Sequence, residues 1–162
     1  MERPQDRAAV TEHDAHRRNY LEALQAVIQE LGRGANSGRM MEVVLDQVLR
    51  VVRGECGVIY TWDPTAGALV PRAWRGVARW IAGQRLKSGE GVAGAVAEQG
   101  ESLIVNDVPG SRFAEAVDCQ EATPHAILAE PLGHRDRLLG VLVVGRTQAG
   151  EPFGDADREA AR

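Results

Sequence analysis

Two groups of residues in this chain have types and spacing that could do chemistry, a cluster of glycines and a pair of cysteines. Gly89-Glu90-Gly91-Val92-Ala93-Gly94 reads G-x-G-x-x-G, runs into an apolar stretch with helical character and precedes a short strand pattern that ends before Asp107. At that spacing glycines let backbone amides approach a pyrophosphate at a helix N-terminus, while an acidic residue about 20 positions later holds a ribose hydroxyl. The surroundings argue against that use. A dinucleotide fingerprint follows a buried parallel strand, which is a continuous apolar run, whereas Gln84, Arg85, Leu86, Lys87 and Ser88 precede these glycines. Hairpin patterns flank the motif on both sides instead of alternating strands and helices. Gly89 and Gly91 are therefore expected to make a tight turn, with Gly94 letting the following helix lie close to a sheet. The two cysteines, Cys56 and Cys119, are far apart and lack C-x-x-C spacing, so they indicate neither a disulfide framework nor a zinc site. Cys56, just ahead of the apolar GVIY, reads as structural.

The elements that position such residues belong to one domain. The 162 residues are 44% hydrophobic, enough for a single core. A net charge of -4, with both signs interspersed, offers no basic footprint and excludes nucleic acid as the main partner. No run approaches the roughly 18 apolar residues of a membrane span, and MERPQDRAAV lacks the apolar core of a secretory signal, so a cytoplasmic protein without membrane contact is expected.

Residues 1–18 read as a flexible polar tail and 19–162 as the domain. Apolar positions at Tyr20, Leu21, Leu24, Val27, Ile28 and Leu31 form a first helical stripe; Met40, Met41, Val44, Leu45, Val48, Leu49 and Val52 form a second, stopped by Gly54. CGVIYTW and ALVPRAW around the turn DPTAG predict a hairpin, in which Pro71 suits an edge or a bulge. Val77, Trp80 and Ile81 indicate a helical turn, Val92 to Gln99 a helix closed by Gly100, and Ser102 to Val105 a strand. His125 to Leu132 and Leu138 to Arg146 form a second strand pair around GHRDR. Asp155 and Asp157 then place negative charge at a helix start. Val108 to Thr123 is the longest irregular stretch, the kind of segment that often covers a binding site.

In this order and spacing, GVIYTWD, GEGVAGAVAEQGESLIVNDVPGSRF, LAEPLGHRDRLLGVLVVGR and an F-x-D-x-D helix start resemble the GAF family of sensory domains, over roughly Tyr20 to Arg162. The resemblance implies an α+β, GAF/PAS-like fold: a twisted antiparallel sheet flanked by helices, with the first, second and C-terminal helices on one face and a small-molecule pocket on the other. It implies a structural role for the GEGVAG turn and a last helix that leads into an output domain, whose own activity the sequence does not reveal.

The function implied is a non-catalytic, small-molecule-sensing and dimerising regulatory domain of a bacterial-type signalling protein, with a homodimer formed through the first helix. Relatives that bind cyclic nucleotides use N-K-(x)n-F-x-x-x-D-E; here Asn106, Phe113 and Asp118 are present, but Asp107 replaces the lysine, Phe113 to Asp118 is one residue too long, and Cys119 replaces the glutamate. The reversal of charge at Asp107 opposes a phosphate, and Asn106-Asp107 reads equally well as a strand-ending turn. His125 resembles the position from which haem-binding members supply an axial ligand, with Ile104, Phe113 and Ile127 as pocket walls. The cofactor is otherwise unknown, and no metal is expected unless His125 holds a haem. Free methionine-R-sulfoxide reductases of the family carry cysteines around the pocket, but Val92 occupies the stretch where one of them stands. Bilin attachment would place a histidine after cysteine, and Gln120 follows Cys119. The expected ligand pocket comprises Ile104, Asn106, Phe113, His125 and Ile127, beneath Val108 to Thr123. Redox enzyme, haem sensor and ligand-free dimerisation scaffold are the alternatives, and an apolar cavity of about 300 Å3 or more separates a sensor from a scaffold.

Overall fold

The computed structural model describes residues 37–77, 79–114, 123–134 and 137–162. The polar tail, the expected first helix and residues 115–122 of the irregular segment 108–123 lie outside the described residues.

The first described helix, α1 (Ser37–Val51), buries Met41, Val44, Leu45 and Val48 of the expected stripe, with Leu49 partly buried and Val52 buried just past the helix end, whereas Met40 is exposed. Arg53 takes a left-handed conformation at the helix end, with φ 50°, and Gly54 follows. A Cβ on Gly54 would stand 2.3 Å from Val144 Cγ1, so the chain needs glycine there to pass so close to the sheet. Strands β1 (Cys56–Asp63) and β2 (Ala68–Arg75) form the hairpin, turned by the Asp63 carboxylate, which accepts the Thr65 and Ala66 amides. The register slips between Ile59 and Tyr60, and Pro71 lies opposite Tyr60 at that bulge on an edge strand. Its missing donor therefore costs no ladder bond inside the sheet. Arg75 reaches back to Asp46 at 2.8 Å and Glu42 at 3.3 Å, joining β2 to α1 by exposed pairs of the kind that contribute at most about 1 kcal/mol.

A 3-10 turn (Arg79–Gly83), α2 (Gly91–Gln99), β3 (Leu103–Val105), β4 (Ala126–His134), β5 (Arg137–Arg146) and α3 (Asp155–Ala161) complete the order. The five strands form one antiparallel sheet in the order β2-β1-β5-β4-β3. The observed fold is the expected α+β sheet flanked by helices.

Strand alternation divides the core in two. Ile59, Leu128, Leu142 and Val144 pack beneath α1 and α3, while Val58, Tyr60, Ile127, Ala129 and Val141 face α2 and the 3-10 turn. Both described end helices thus share one face. The glycine loop is tied into itself: Gly89 N–H donates to Gly94 O at 2.8 Å, Glu90 N–H to Lys87 O, and Lys87 N–H to the Glu90 carboxylate. Gly89 and Gly91 have φ of 86° and 61°, and a Cβ on Gly94 would lie 2.4 Å from Lys87 O. These glycines close a turn onto a helix, and β2, not a parallel strand, comes before them.

Candidate ligand cavity

On the face opposite α1 and α3, a cavity of about 270 Å3 lies between the sheet and the start of α2. The pleat of β1 sends Cys56, Val58 and Tyr60 toward it, Ile127 and Val143 enter from β4 and β5, and Ile81 and Val92 form the opposite wall. The lining is mainly apolar, so occupancy is rewarded by removing hydrocarbon from water, and the few polar groups set orientation. One such group is the Tyr60 hydroxyl, which donates to Gln84 Oε1 at 2.7 Å; both residues line the cavity. Glu90 stands at the α2 end with its carboxylate held by the Lys87 amide.

The strand below the cavity is connected to both helices on the far face. Gly145 lines the cavity, and the next residue, Arg146, turns its buried guanidinium to the other side. Its Nη2 donates to Val52 O at 2.6 Å and to Asp157 Oδ1 at 2.9 Å, its Nη1 donates to Pro152 O at 2.7 Å, and it stacks 4.1 Å from the Phe153 ring centroid. One side chain therefore joins the end of α1 and the start of α3 to β5.

Of the five residues expected in the pocket, Ile127 lines the cavity. Phe113 is buried in the same core layer as Ile127, under the Arg112 guanidinium, but is not in the lining. Ile104 packs against the opposite layer, because β3 alternation turns Leu103 and Val105, not Ile104, toward the cavity face. Asn106 is occupied elsewhere: its amide donates to Phe153 O at 3.0 Å and accepts the Phe153 N–H at 2.8 Å, fastening the approach to α3. His125 is exposed; its backbone N–H donates to Arg146 O and its carbonyl accepts the Val108 N–H. A haem ligand must be aimed into an enclosing apolar cavity, and this imidazole is not, so the residues present do not fit a haem held through His125. Asp118 and Cys119 lie outside the described residues. Among the described residues no cluster of three or more His, Cys, Asp or Glu is placed to hold a metal ion, and no helix is long and apolar enough to cross a membrane.

Sequence reasoning passed over Tyr60, Gln84, Ile81, Val58 and Val143. The alternation Cys56, Val58, Tyr60 could have marked the first wall, with tyrosine as the residue that brings a polar tip to an apolar face.

Comparison with solved structures finds this arrangement repeatedly. The GAF domain of a phosphoenolpyruvate-protein phosphotransferase from Coxiella burnetii superposes with a TM-score of 0.68 at 24% identity, over 89% of this chain and 86% of that one. A free methionine-R-sulfoxide reductase from Neisseria meningitidis, solved with its substrate, gives 0.62 at 17% identity over 88% and 86%. NreA from Staphylococcus aureus, mutated in its nitrate binding site, gives 0.61 at 19% identity over 72% and 89%. At these identities the likeness speaks for the fold alone. No curated protein matches the sequence. The model of the GAF domain family matches residues 34–162, which takes in every described element from α1 to α3. The sheet order, the layers and that match together place the chain in the GAF domain family, whose members are generally regulatory sensor domains.

Proposed function

We propose that this chain is a non-catalytic sensory domain that works in the cytoplasm, binds a small, largely apolar molecule in the cavity beneath α2, and relays occupancy to its end helices. The observation that carries the reading is the cavity itself, about 270 Å3 and lined mainly by aliphatic side chains, on the face opposite α1 and α3. Its volume falls just short of the roughly 300 Å3 at which small-molecule sites begin, so the apolar lining and the Tyr60–Gln84 pair, rather than size, favour a sensor over a scaffold. The ligand is therefore compact, held by hydrocarbon contact and oriented by Tyr60 and Gln84. Ile127 touches it directly, and Phe113 belongs to the same apolar layer.

Relay requires a connected element with two arrangements. A ligand against Val143 and Gly145 presses on the strand whose next residue, Arg146, holds both helices.

The test is native mass spectrometry of the purified protein, followed by hydrogen exchange with the ligand so identified or with a metabolite panel. Protection is expected first in β1, β5 and residues 81–93, and Val143→Trp, which fills the space, is expected to remove it. Protection confined to α1 and α3 would refute the site.

A redox enzyme is the second reading, favoured by Cys56, which lines the cavity. The expected result is that free methionine-R-sulfoxide is not consumed in the presence of dithiothreitol. Consumption that disappears in Cys56→Ser would establish the enzyme instead.

A further inference from the structure

A second recess lies on the other face of the sheet, between the β3–β4 edge and α3. Glu101, Ser102, Glu130, Pro131, Arg158 and Arg162 line it, and its volume is about 320 Å3. Glu130 occupies the strand face whose neighbours two positions away, Leu128 and Leu132, pack in the apolar core beneath α1 and α3. A carboxyl there is costly unless something answers its charge.

What answers it is incomplete. The Glu130 side chain is 2% exposed; Ser102 Oγ donates to its Oε2 at 2.5 Å, while Oε1 has no hydrogen-bond partner among the described residues. Arg162 stands with Nε 3.8 Å from Oε2 and Nη2 3.5 Å from Ser102 Oγ, on a side chain 67% exposed. Arg158 Nε is buried without a hydrogen-bond partner among the described residues, and Arg158 Nη1 lies 3.6 Å from Asp155 Oδ1. The recess thus holds charges of both signs, set too far apart to satisfy one another by hydrogen bonds. A simple cation would meet two guanidinium groups, and a simple anion would meet Glu130. A molecule that carries both charges answers both.

We propose that this recess binds a small zwitterion of the α-amino-acid type, with its ammonium group taken by Glu130 and Ser102 and its carboxylate by Arg158 and Arg162. Arg162, the exposed member, moves aside to admit the ammonium group and then closes on the carboxylate. The site is separate from the apolar cavity and does not depend on it. An occupant bridges α3 to the β3–β4 edge.

The experiment is an NMR titration of the nitrogen-15-labelled chain at neutral pH with glycine, methylammonium and acetate as separate probes. Glycine is expected to shift the amides of Ser102, Glu130 and Arg158 saturably and to leave Val58, Val92 and Ile127 unmoved. Methylammonium or acetate alone is expected to bind about tenfold more weakly or worse, since each forfeits one charge-assisted pair. Glu130→Gln and Arg158→Gln, each with an otherwise unchanged spectrum, are expected to abolish the glycine response. The proposal is overturned by no saturable shift with glycine, by equal binding of either half alone, by shifts confined to the cavity face, or by a response that survives Glu130→Gln. If the glutamine variant loses its dispersed spectrum, Ser102→Ala takes its place, and an unchanged glycine affinity there overturns the proposal equally.

Discussion

At the scale of single residues, the informative positions are polar groups that the fold buries. Arg146 donates from its two terminal nitrogens to the Val52 and Pro152 carbonyls and to Asp157, so a group that is expensive to desolvate becomes the joint between sheet and helices. Glu130 is in a different position. Burial pushes its carboxyl above the ordinary carboxylate range, while the Ser102 hydroxyl and the charges of Arg162 and Arg158 pull the other way. A carboxyl whose pKa is raised by folding favours the folded state fully at pH below its unfolded pKa, and that contribution is lost as pH rises through the raised value. Replacing it with glutamine removes the titration. Denaturant unfolding of the native chain and of Glu130→Gln, from acid to neutral pH, should show the native chain losing stability relative to the variant as pH rises. Parallel stability curves would refute the assignment.

At the scale of elements, the pattern of each segment was legible and its partners were not. The α1 stripe, the Asp63 turn, the bulge at Pro71 and the glycine turn ahead of α2 all follow local rules, and local rules can be read from neighbours along the chain. The short strand β3 shows the limit. Three residues carry too little alternation to reveal which side is buried, so the sequence leaves Ile104 a pocket candidate, whereas its pairing with Leu128 sets it on the helix face. Asn106 was legible as a turn residue, but its partner, Phe153, is 47 positions away. That contact predicts a local effect. Asn106→Ala removes both part-buried hydrogen bonds to the Phe153 backbone, at about 0.5–1.5 kcal/mol each. Hydrogen exchange in α3 should accelerate well beyond that in β1 and β5, whereas uniform acceleration would show that Asn106 supports the whole fold.

At the scale of the whole molecule, the domain places an apolar cavity and the helices α1 and α3 on opposite faces of one sheet, and the remaining apolar surface bears on assembly. Val43 is 55% exposed and Val51 42%, with Met40 beside them on the outer side of α1. Together with the stripe from Tyr20 to Leu31, this leads us to expect a homodimer through the N-terminal helices. Sedimentation at micromolar concentration should give a dimer that Val43→Glu, Val51→Glu dissociates, and a purely monomeric native chain would refute it. The sequence alone determined the succession of the described helices and strands, the antiparallel hairpins and the structural role of the glycine turn, because periodicity and turn chemistry act between neighbours. The tertiary structure decided which faces enclose the cavity, that Tyr60 and Gln84 meet there while His125 remains outside, and that Glu130, Arg158 and Arg162 share a recess. Those juxtapositions depend on strand order and on register across residues far apart in the chain, and a one-residue slip in register would send every side chain of a strand to the other face.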